Sequence, residues 1–347
     1  MNRDVAIIGD FFILPEVFER ELRRACEGIN ITCRLDQSDW PNSPVEHGYV
    51  GDGTVSIKEY LGDFDQVVQF IGQAEVLIMH QSPMTAKMLD QLPSLKLIGC
   101  SRGGPVNIDV EAARTRGVAV TSVPGRNASA VAEFTIGAIL SESRKIRAGH
   151  EALRLGNWRG DLYRADVTGR ELNEMTVGVI GYGKIGTRLT RLLRAFGSKV
   201  LVCDPYVQLD PEDAEAGVEQ VSLEILLEHS DVVTLHPRVT DETVHMINRT
   251  SLARMKPDAL LINTARGPLC NYDDLYDALR DGVIGGAMLE TFGVEPVPPE
   301  WPLLQLPNVT LTPHIAGASV RTATYAAEVL AEDIRRYFVG EPLLNQC

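Results

Sequence analysis

Three residues towards the end of the chain carry the groups that chemistry at a carbonyl or an alcohol requires: Arg266, Glu295 and His314. Arg266 is permanently charged, and its planar fork matches a carboxylate. His314 has the side-chain type that exchanges protons near neutral pH, so it can give or take the proton of a hydroxyl. A Glu295 carboxylate bonded to His314 would fix its tautomer, making the histidine an acid in the reducing direction and a base in the oxidising one. Singly, each has a plainer reading: a surface arginine, a solvated glutamate between Val294 and Pro296, and a turn histidine after Pro313. Position argues against the plain readings. All three follow short apolar runs that read as buried strands, and in open α/β sheets ligands bind outside the carboxyl ends of the strands.

Those strands belong to a pattern that begins at Thr176. Val177 to Ile180 has the length and β-branching of a buried parallel strand. It runs into Gly181-x-Gly183-x-x-Gly186 and then a helical pattern with Ile185, Leu189, Leu192, Leu193 and Phe196 on one face. Gly197 ends the helix, and Lys199 to Cys203 makes a second strand that stops at Asp204. In such a unit the glycines allow a tight turn, the approach of a pyrophosphate and close helix packing, while the helix N-terminus offers N–H groups to the phosphates. Asp204 lies 18 positions after Gly186, where a carboxylate accepts hydrogen bonds from an adenosine ribose and repels a 2′-phosphate. The expected cofactor is therefore NAD.

Beyond Asp204 the alternation continues. Val232 to Leu235 ends at His236, and Ala259 to Ile262 leads into Asn263-Thr264-Ala265-Arg266-Gly267. Ile284 to Leu289 and Val309 to Leu311 bring the count from Val177 to six strands, with Ser222 and Asn271 placed to cap intervening helices. Six parallel strands with helical crossovers are what a dinucleotide-binding sheet requires. A last helix carries Ala323, Ala327, Leu330, Ile334 and Phe338 at helical spacing, with Gly340 and Pro342 past its end.

Residues 4–120 read as a separate α/β region without a dinucleotide fingerprint, because Gly9-Asp10 lacks the second and third glycines. Its strands are expected at Val5 to Ile8, Val76 to Met79, Lys96 to Cys100 and Val118 to Thr121. Helices are expected over 15–27, with Pro15 in the first turn, and around 84–91; Asn107-Ile108-Asp109 is placed to cap another. Trp40 to Gly53, with its prolines and glycines, reads as a loop, and Ser101-Arg102-Gly103-Gly104-Pro105 as a turn with exposed backbone amides. Val123-Pro124-Gly125-Arg126-Asn127 breaks the pattern as a domain boundary does. One long helix from about Ser129 to Leu155, leading to Asn157-Trp158-Arg159, then bridges between domains or subunits.

Composition narrows the classes. The 347 residues suffice for two domains with full cores, and the 44% hydrophobic and 23% charged shares are those of a soluble globular protein. No apolar run approaches the roughly 20 residues that span a bilayer, and Met1 to Asp4 is no signal-peptide n-region, so no membrane partner and a cytoplasmic location are expected. Six cysteines without a C-x-x-C pair indicate neither a metal site nor a disulfide framework. A net charge of −14 argues against nucleic acid, and an anionic substrate must be drawn in by local arginines and amides.

Five ordered blocks resemble the D-isomer-specific 2-hydroxyacid dehydrogenases: the VGVIGYGKIG stretch, Asn127 to Leu140, Thr264-Ala265-Arg266-Gly267, Gly293-Val294-Glu295-Pro296 and Thr312-Pro313-His314-Ile315-Ala316-Gly317. The resemblance covers nearly the whole chain after about residue 75. It implies two doubly wound parallel-sheet domains, with a Rossmann cofactor domain over 124–317 inserted into a flavodoxin-like substrate domain made of 1–123 and 318–347. It implies that Arg266 holds the carboxylate and oxo group of a small 2-oxo or 2-hydroxy acid, joined by Arg102, Gly103, Gly104 and His314. Glu295 and His314 then form the acid/base pair in a cleft between the domains. The NAD contacts it implies are Gly181, Tyr182, Gly183, Lys184, Ile185, Gly186, Asp204, His236, Thr264, Ala265, Glu290 and His314. It also implies a homodimer joined through the 129–165 region.

Two positions depart from the family pattern. Glu290 stands where the family has Asp approaching the nicotinamide amide, and Pro237-Arg238 follows His236 where a later proline is usual. His80, Arg102, Trp158 and Arg159 are candidates for selecting the substrate's side chain. Within the family a phosphoglycerate-dehydrogenase-like or hydroxypyruvate/glyoxylate-reductase-like activity is expected. Formate dehydrogenase is disfavoured, because that chemistry transfers no proton and has an amide where Glu295 stands. The rival from another class is a non-enzymatic, NAD-sensing corepressor, which shares the fold and the three polar residues.

Overall fold

The apolar run after Arg3 forms an interior strand of the first of two compact units into which the chain divides, Met1–Asn127 with Ala318–Cys347 and Ala128–Gly317. The computed structural model describes residues 2–39 and 57–347, so the loop expected over Trp40 to Gly53 lies outside the described residues. Residues 124–127, assigned above to the cofactor domain, cluster with the first unit. Val123 N donates to Arg102 O and Arg126 bonds His80, which ties that turn back to the first sheet.

In the first unit, β1 (Arg3–Gly9), β2 (Ile31–Gln37), β3 (Val76–Met79), β4 (Leu97–Cys100) and β5 (Ala119–Thr121) form a parallel sheet in the order β2-β1-β3-β4-β5. This is the flavodoxin-like order, with its topological switch point between β1 and β3. β3 and β4 are wholly buried, as continuous apolar runs between two helix layers must be. β2 was not expected from the sequence. Among the described residues it pairs with β1 alone, so only Ile31 is buried, and its exposed, mixed residues carry no continuous apolar signal.

The 20-residue helix Val320–Val339 returns to this unit, with Ser319 as its N-cap and Gly340 left-handed at its end. It buries Ala326, Leu330 and Ile334 among Val5, Phe18 and Leu22. Each fully buried Leu or Ile contributes about 1.5–3 kcal/mol. Asp333 fixes the chain's end by bonding the Thr121 hydroxyl and accepting from Leu344 N at 2.7 Å.

The second unit holds β6 (Thr176–Ile180), β7 (Lys199–Cys203), β8 (Glu219–Gln220), β9 (Val232–Leu235), β10 (Leu260–Asn263), β11 (Gly286–Leu289) and β12 (Val309–Leu311). Their order is β12-β11-β10-β9-β6-β7-β8, all parallel, with the switch point between β6 and β9. The sheet therefore has seven strands where six were expected. The additional β8 is a two-residue edge strand against β7, too short to show any periodicity. The long helix expected over Ser129 to Leu155 is two, Ala128–Ser143 and Ile146–Arg154, broken at Lys145, whose φ is +59°. No glycine or proline announces that break. All six cysteines are free thiols. Among the described residues no helix is long and apolar enough to cross a membrane.

Candidate active site

The glycine turn after β6 is built as its sequence requires. Gly181 has φ +92°, and a Cβ there would meet the His236–Pro237 peptide at 2.8 Å. A Cβ on Gly186 would lie 2.0 Å from Gly181 O, so only glycine lets the helix Lys184–Ala195 begin so close to the strand. Gly183 faces open space instead, with nothing within 4 Å of a Cβ. Lys184 is exposed and Ile185 half-buried on the first turn. Tyr182 is buried, and its hydroxyl bonds the Asp213 carboxylate, which also holds Arg194. Burial, then the acceptor Asp213, push that phenol up to about 12.

Asp204, at the end of β7, ties the turn together. One carboxylate oxygen accepts from Tyr182 N at 2.7 Å, and the other accepts from Tyr206 N and Val207 N, both at 2.9 Å. His236, at the end of β9, sets its Nε2 3.0 Å from the Thr234 hydroxyl, while its Nδ1 is buried with no hydrogen-bond partner among the described residues. Burial holds this imidazole neutral, down to about 3.

The strand ends on the other side of the switch point carry the three polar residues. After β10, the buried Asn263 amide donates to Arg266 O at 3.1 Å and accepts from Ala265 N at 3.1 Å, fixing the turn from which Arg266 projects, exposed. Thr264 lies 3.0 Å from Thr135, whose own proton goes to Val131 O at 2.8 Å, so Thr264 is the donor. A Cβ on Gly267 would meet Phe292 O at 1.8 Å, which shows how closely the Arg266 turn is pressed against the segment leading to Glu295. That segment is braced by Tyr272, whose hydroxyl bonds Thr291 O and whose ring packs on Trp301 at 5.3 Å.

Glu295 uses one oxygen to accept from Phe292 N at 2.8 Å and sets the other 2.8 Å from His314 Nδ1. A carboxylate oxygen accepts, so the proton of that bond sits on Nδ1. His314 has φ +54°, a left-handed backbone that a non-glycine residue adopts only under constraint. Glu290 supplies the constraint. Its backbone carbonyl accepts from His314 N at 3.1 Å, and its fully buried carboxylate bonds the Thr312 hydroxyl and accepts from Ala316 N at 2.5 Å. Burial pushes the Glu290 carboxyl above its ordinary range, against the bonds from Thr312 and Ala316.

The structure thus brings Glu295 and His314 into contact and presses the Arg266 turn against the same loop. The chain matches a family model described as D-isomer specific 2-hydroxyacid dehydrogenase, NAD binding domain, over residues 136–316. It is 39% identical over 329 residues to a glyoxylate reductase of Thermofilum pendens, an alignment covering 95% of this chain and 90% of that one. The chain belongs to the D-isomer-specific 2-hydroxyacid dehydrogenases. Membership in this family makes it an NAD-dependent oxidoreductase acting on CH–OH groups. Another relative in the family, a D-3-phosphoglycerate dehydrogenase of Methanocaldococcus jannaschii, is 37% identical over 280 residues, which is 80% of this chain and 52% of that longer protein. A crystal structure of a D-lactate dehydrogenase from Aquifex aeolicus complexed with NAD and lactic acid is similar with a TM-score of 0.71 at 27% identity, covering 97% and 96% of the two chains.

Of the remaining substrate-site candidates, His80, Arg102, Gly103 and Gly104 follow strands of the five-stranded sheet, whereas Trp158 and Arg159 belong to the second unit. Gly103 and Gly104 form an exposed turn after β4, and Arg102 is ion-paired with Glu59. His80, at the end of β3, is buried against Asp10. Trp158 is 84% exposed, and Arg159 pairs with Asp161 on the surface. Arg238 is exposed, and its carbonyl accepts from the Thr243 hydroxyl at 2.7 Å. Sequence reasoning did not single out Asn263, Thr135 or Tyr272. Asn263 alone carried a signal, as a polar residue closing an apolar strand.

Proposed function

We propose that the protein reduces small 2-oxo acids to D-2-hydroxy acids, and runs the reverse reaction, with His314 as proton carrier, Glu295 as its partner and Arg266 as carboxylate clamp. The observation that carries this reading is the 2.8 Å His314–Glu295 pair at the carboxyl edge of the sheet that bears the glycine turn.

The turn fits a dinucleotide: Gly183 leaves open space before the helix N-terminus, and the buried, partnerless Nδ1 of His236 lies in the segment packed on Gly181. Gly181 to Gly186 would hold the pyrophosphate and Asp204 the adenosine ribose, with Thr264, Ala265 and His236 at the neighbouring strand ends. When bound, NADH supplies the hydride for C2 of the acid. Arg266 binds the C1 carboxylate bidentately and polarises the oxo group. His314 Nε2 delivers a proton to the oxygen on C2, and the Glu295 carboxylate stabilises the imidazolium that precedes this transfer. In the oxidising direction the neutral ring takes that proton back. Glu290 acts by holding the turn that presents His314, which gives its departure from Asp a positional role.

We also propose that two copies pair through 129–165, where Ile146, Leu153, Leu155, Trp158 and Tyr163 are all exposed. Sedimentation of the purified chain at twice its monomer mass supports pairing, and a monomer contradicts it. For the reaction itself, NADH consumption with a panel of 2-oxo acids is the test. Turnover supports the enzyme, whereas tight NADH binding with no acid reduced favours the corepressor-type alternative.

A further inference from the structure

The Arg266 turn runs through Gly267–Leu269 into the helix Tyr272–Arg280, so Tyr272 is that helix's first residue. Asn271 fixes the helix start by accepting from Asp273 N at 3.1 Å and from Asp274 N at 3.2 Å. The half-buried Tyr272 ring packs between two others, with its centroid 5.3 Å from that of Trp301 and 6.3 Å from that of Phe292. A Cβ on Gly293 would lie 3.6 Å from its Cδ2. This packing sets where the phenol points, and the hydroxyl donates to Thr291 O. Burial pushes the phenol well above the ordinary tyrosine range, so it stays protonated and remains a donor. Phenylalanine would fill the same space against Trp301 and Phe292, so packing alone does not account for the hydroxyl.

Thr291 O and Phe292 N belong to one peptide group. Its N–H donates to one Glu295 oxygen at 2.8 Å, and the other Glu295 oxygen accepts from His314 Nδ1 at 2.8 Å. An unbroken chain of hydrogen bonds therefore runs from the phenol, through a single peptide plane and the carboxylate, to the imidazole. A planar peptide turns as a unit, so a hydroxyl that pins its oxygen also pins the N–H on its far side. Donation to the carbonyl also polarises the group, which strengthens that N–H as a donor to the carboxylate.

We infer that Tyr272 is a positioning residue for the proton transfer: through the Thr291–Phe292 peptide it sets the orientation of Glu295 and, with it, that of the His314 ring. This rests on the acid/base reading of the previous subsection and adds to that site a residue that acts through Glu295.

The test compares the full chain, supplied with NADH and the most active acid of the panel, with Tyr272→Phe, which keeps the ring and removes the bond to Thr291 O. The expected result is a kcat about three- to tenfold lower, with KM within about twofold of wild type. In a Glu295→Ala background, where no carboxylate remains to be positioned, Tyr272→Phe is expected to cost nothing further. The proton magnetic resonance of His314 Nδ1–H, assigned by its loss in His314→Ala, is expected to broaden and to exchange faster with water in Tyr272→Phe. A wild-type kcat or an unaltered resonance in Tyr272→Phe, or an equal loss of kcat in both backgrounds, would overturn this inference and leave the dehydrogenase reading standing. No turnover with any acid would overturn both.

Discussion

His314 Nδ1 lies 2.8 Å from a carboxylate oxygen of Glu295 whose other oxygen is fixed by the Phe292 amide, so the ring's orientation is set through Nδ1. Two turns, one after β11 and one after β12, must both keep their shape for this pair to exist.

Glu295→Gln keeps the size of the side chain and removes its charge. An amide can still accept from Nδ1, but it no longer stabilises the imidazolium. The expected loss in kcat is about ten- to a hundredfold with little change in KM. Steady-state kinetics across pH check this, and an unchanged kcat would remove Glu295 from the acid/base pair.

Arg266→Lys keeps the charge and loses the planar fork. If Arg266 binds the carboxylate bidentately, kcat/KM for 2-oxo acids falls on the order of a hundredfold. Carboxylate-free aldehydes, offered as alternative substrates, should lose much less. Equal losses for both would show that Arg266 serves the turn and not the substrate.

Asp204 accepts three backbone N–H bonds as well as being the expected ribose partner. Asp204→Asn retains an acceptor and removes the repulsion of a 2′-phosphate. The NADPH to NADH ratio of kcat/KM should rise about tenfold or more. A ratio that stays put would mean that the carboxylate only shapes the turn.

The buried His80, set between Asp10 and Arg126, predicts a pH effect on stability that is independent of catalysis. The unfolded His80 takes up a proton near 6.5, whereas the folded one resists it down to about 4. Between those values the unfolded chain binds more protons, so stability falls as pH drops, by up to about 1.4 kcal/mol per pH unit from this residue. Urea unfolding at pH 7 and pH 5, in wild type and in His80→Asn, isolates that share from the carboxylates. An equal pH 7-to-5 loss in both proteins would contradict it.

What the sequence made legible, and what it did not, follows from range. The strand–glycine turn–helix unit from Thr176 to Asp204 is local, and its periodicity and turn chemistry are written in consecutive residues. The helices capped by Ser222 and Asn271 were legible for the same reason. β2 and β8 escaped because an edge strand buries too little to need an apolar run. The break at Lys145 escaped because a lysine, not a glycine, takes the left-handed position. Arg266, Glu295 and His314 were singled out as candidates through their places at strand ends. By contrast, the Asp10–His80–Arg126 contacts are assembled by topology from three loops, and no local pattern joins them. Glu290 was noticed as a departure, but its grip on Thr312 and Ala316 needed the fold.

The most direct measurement is NADH consumption with the panel of 2-oxo acids, wild type beside His314→Ala. The account expects wild-type turnover with at least one acid, giving the D-hydroxy product, and a kcat about a hundred- to ten-thousandfold lower in the variant while NADH still binds. Wild-type protein that binds NADH and reduces no acid, or a variant that turns over as fast as wild type, would contradict it.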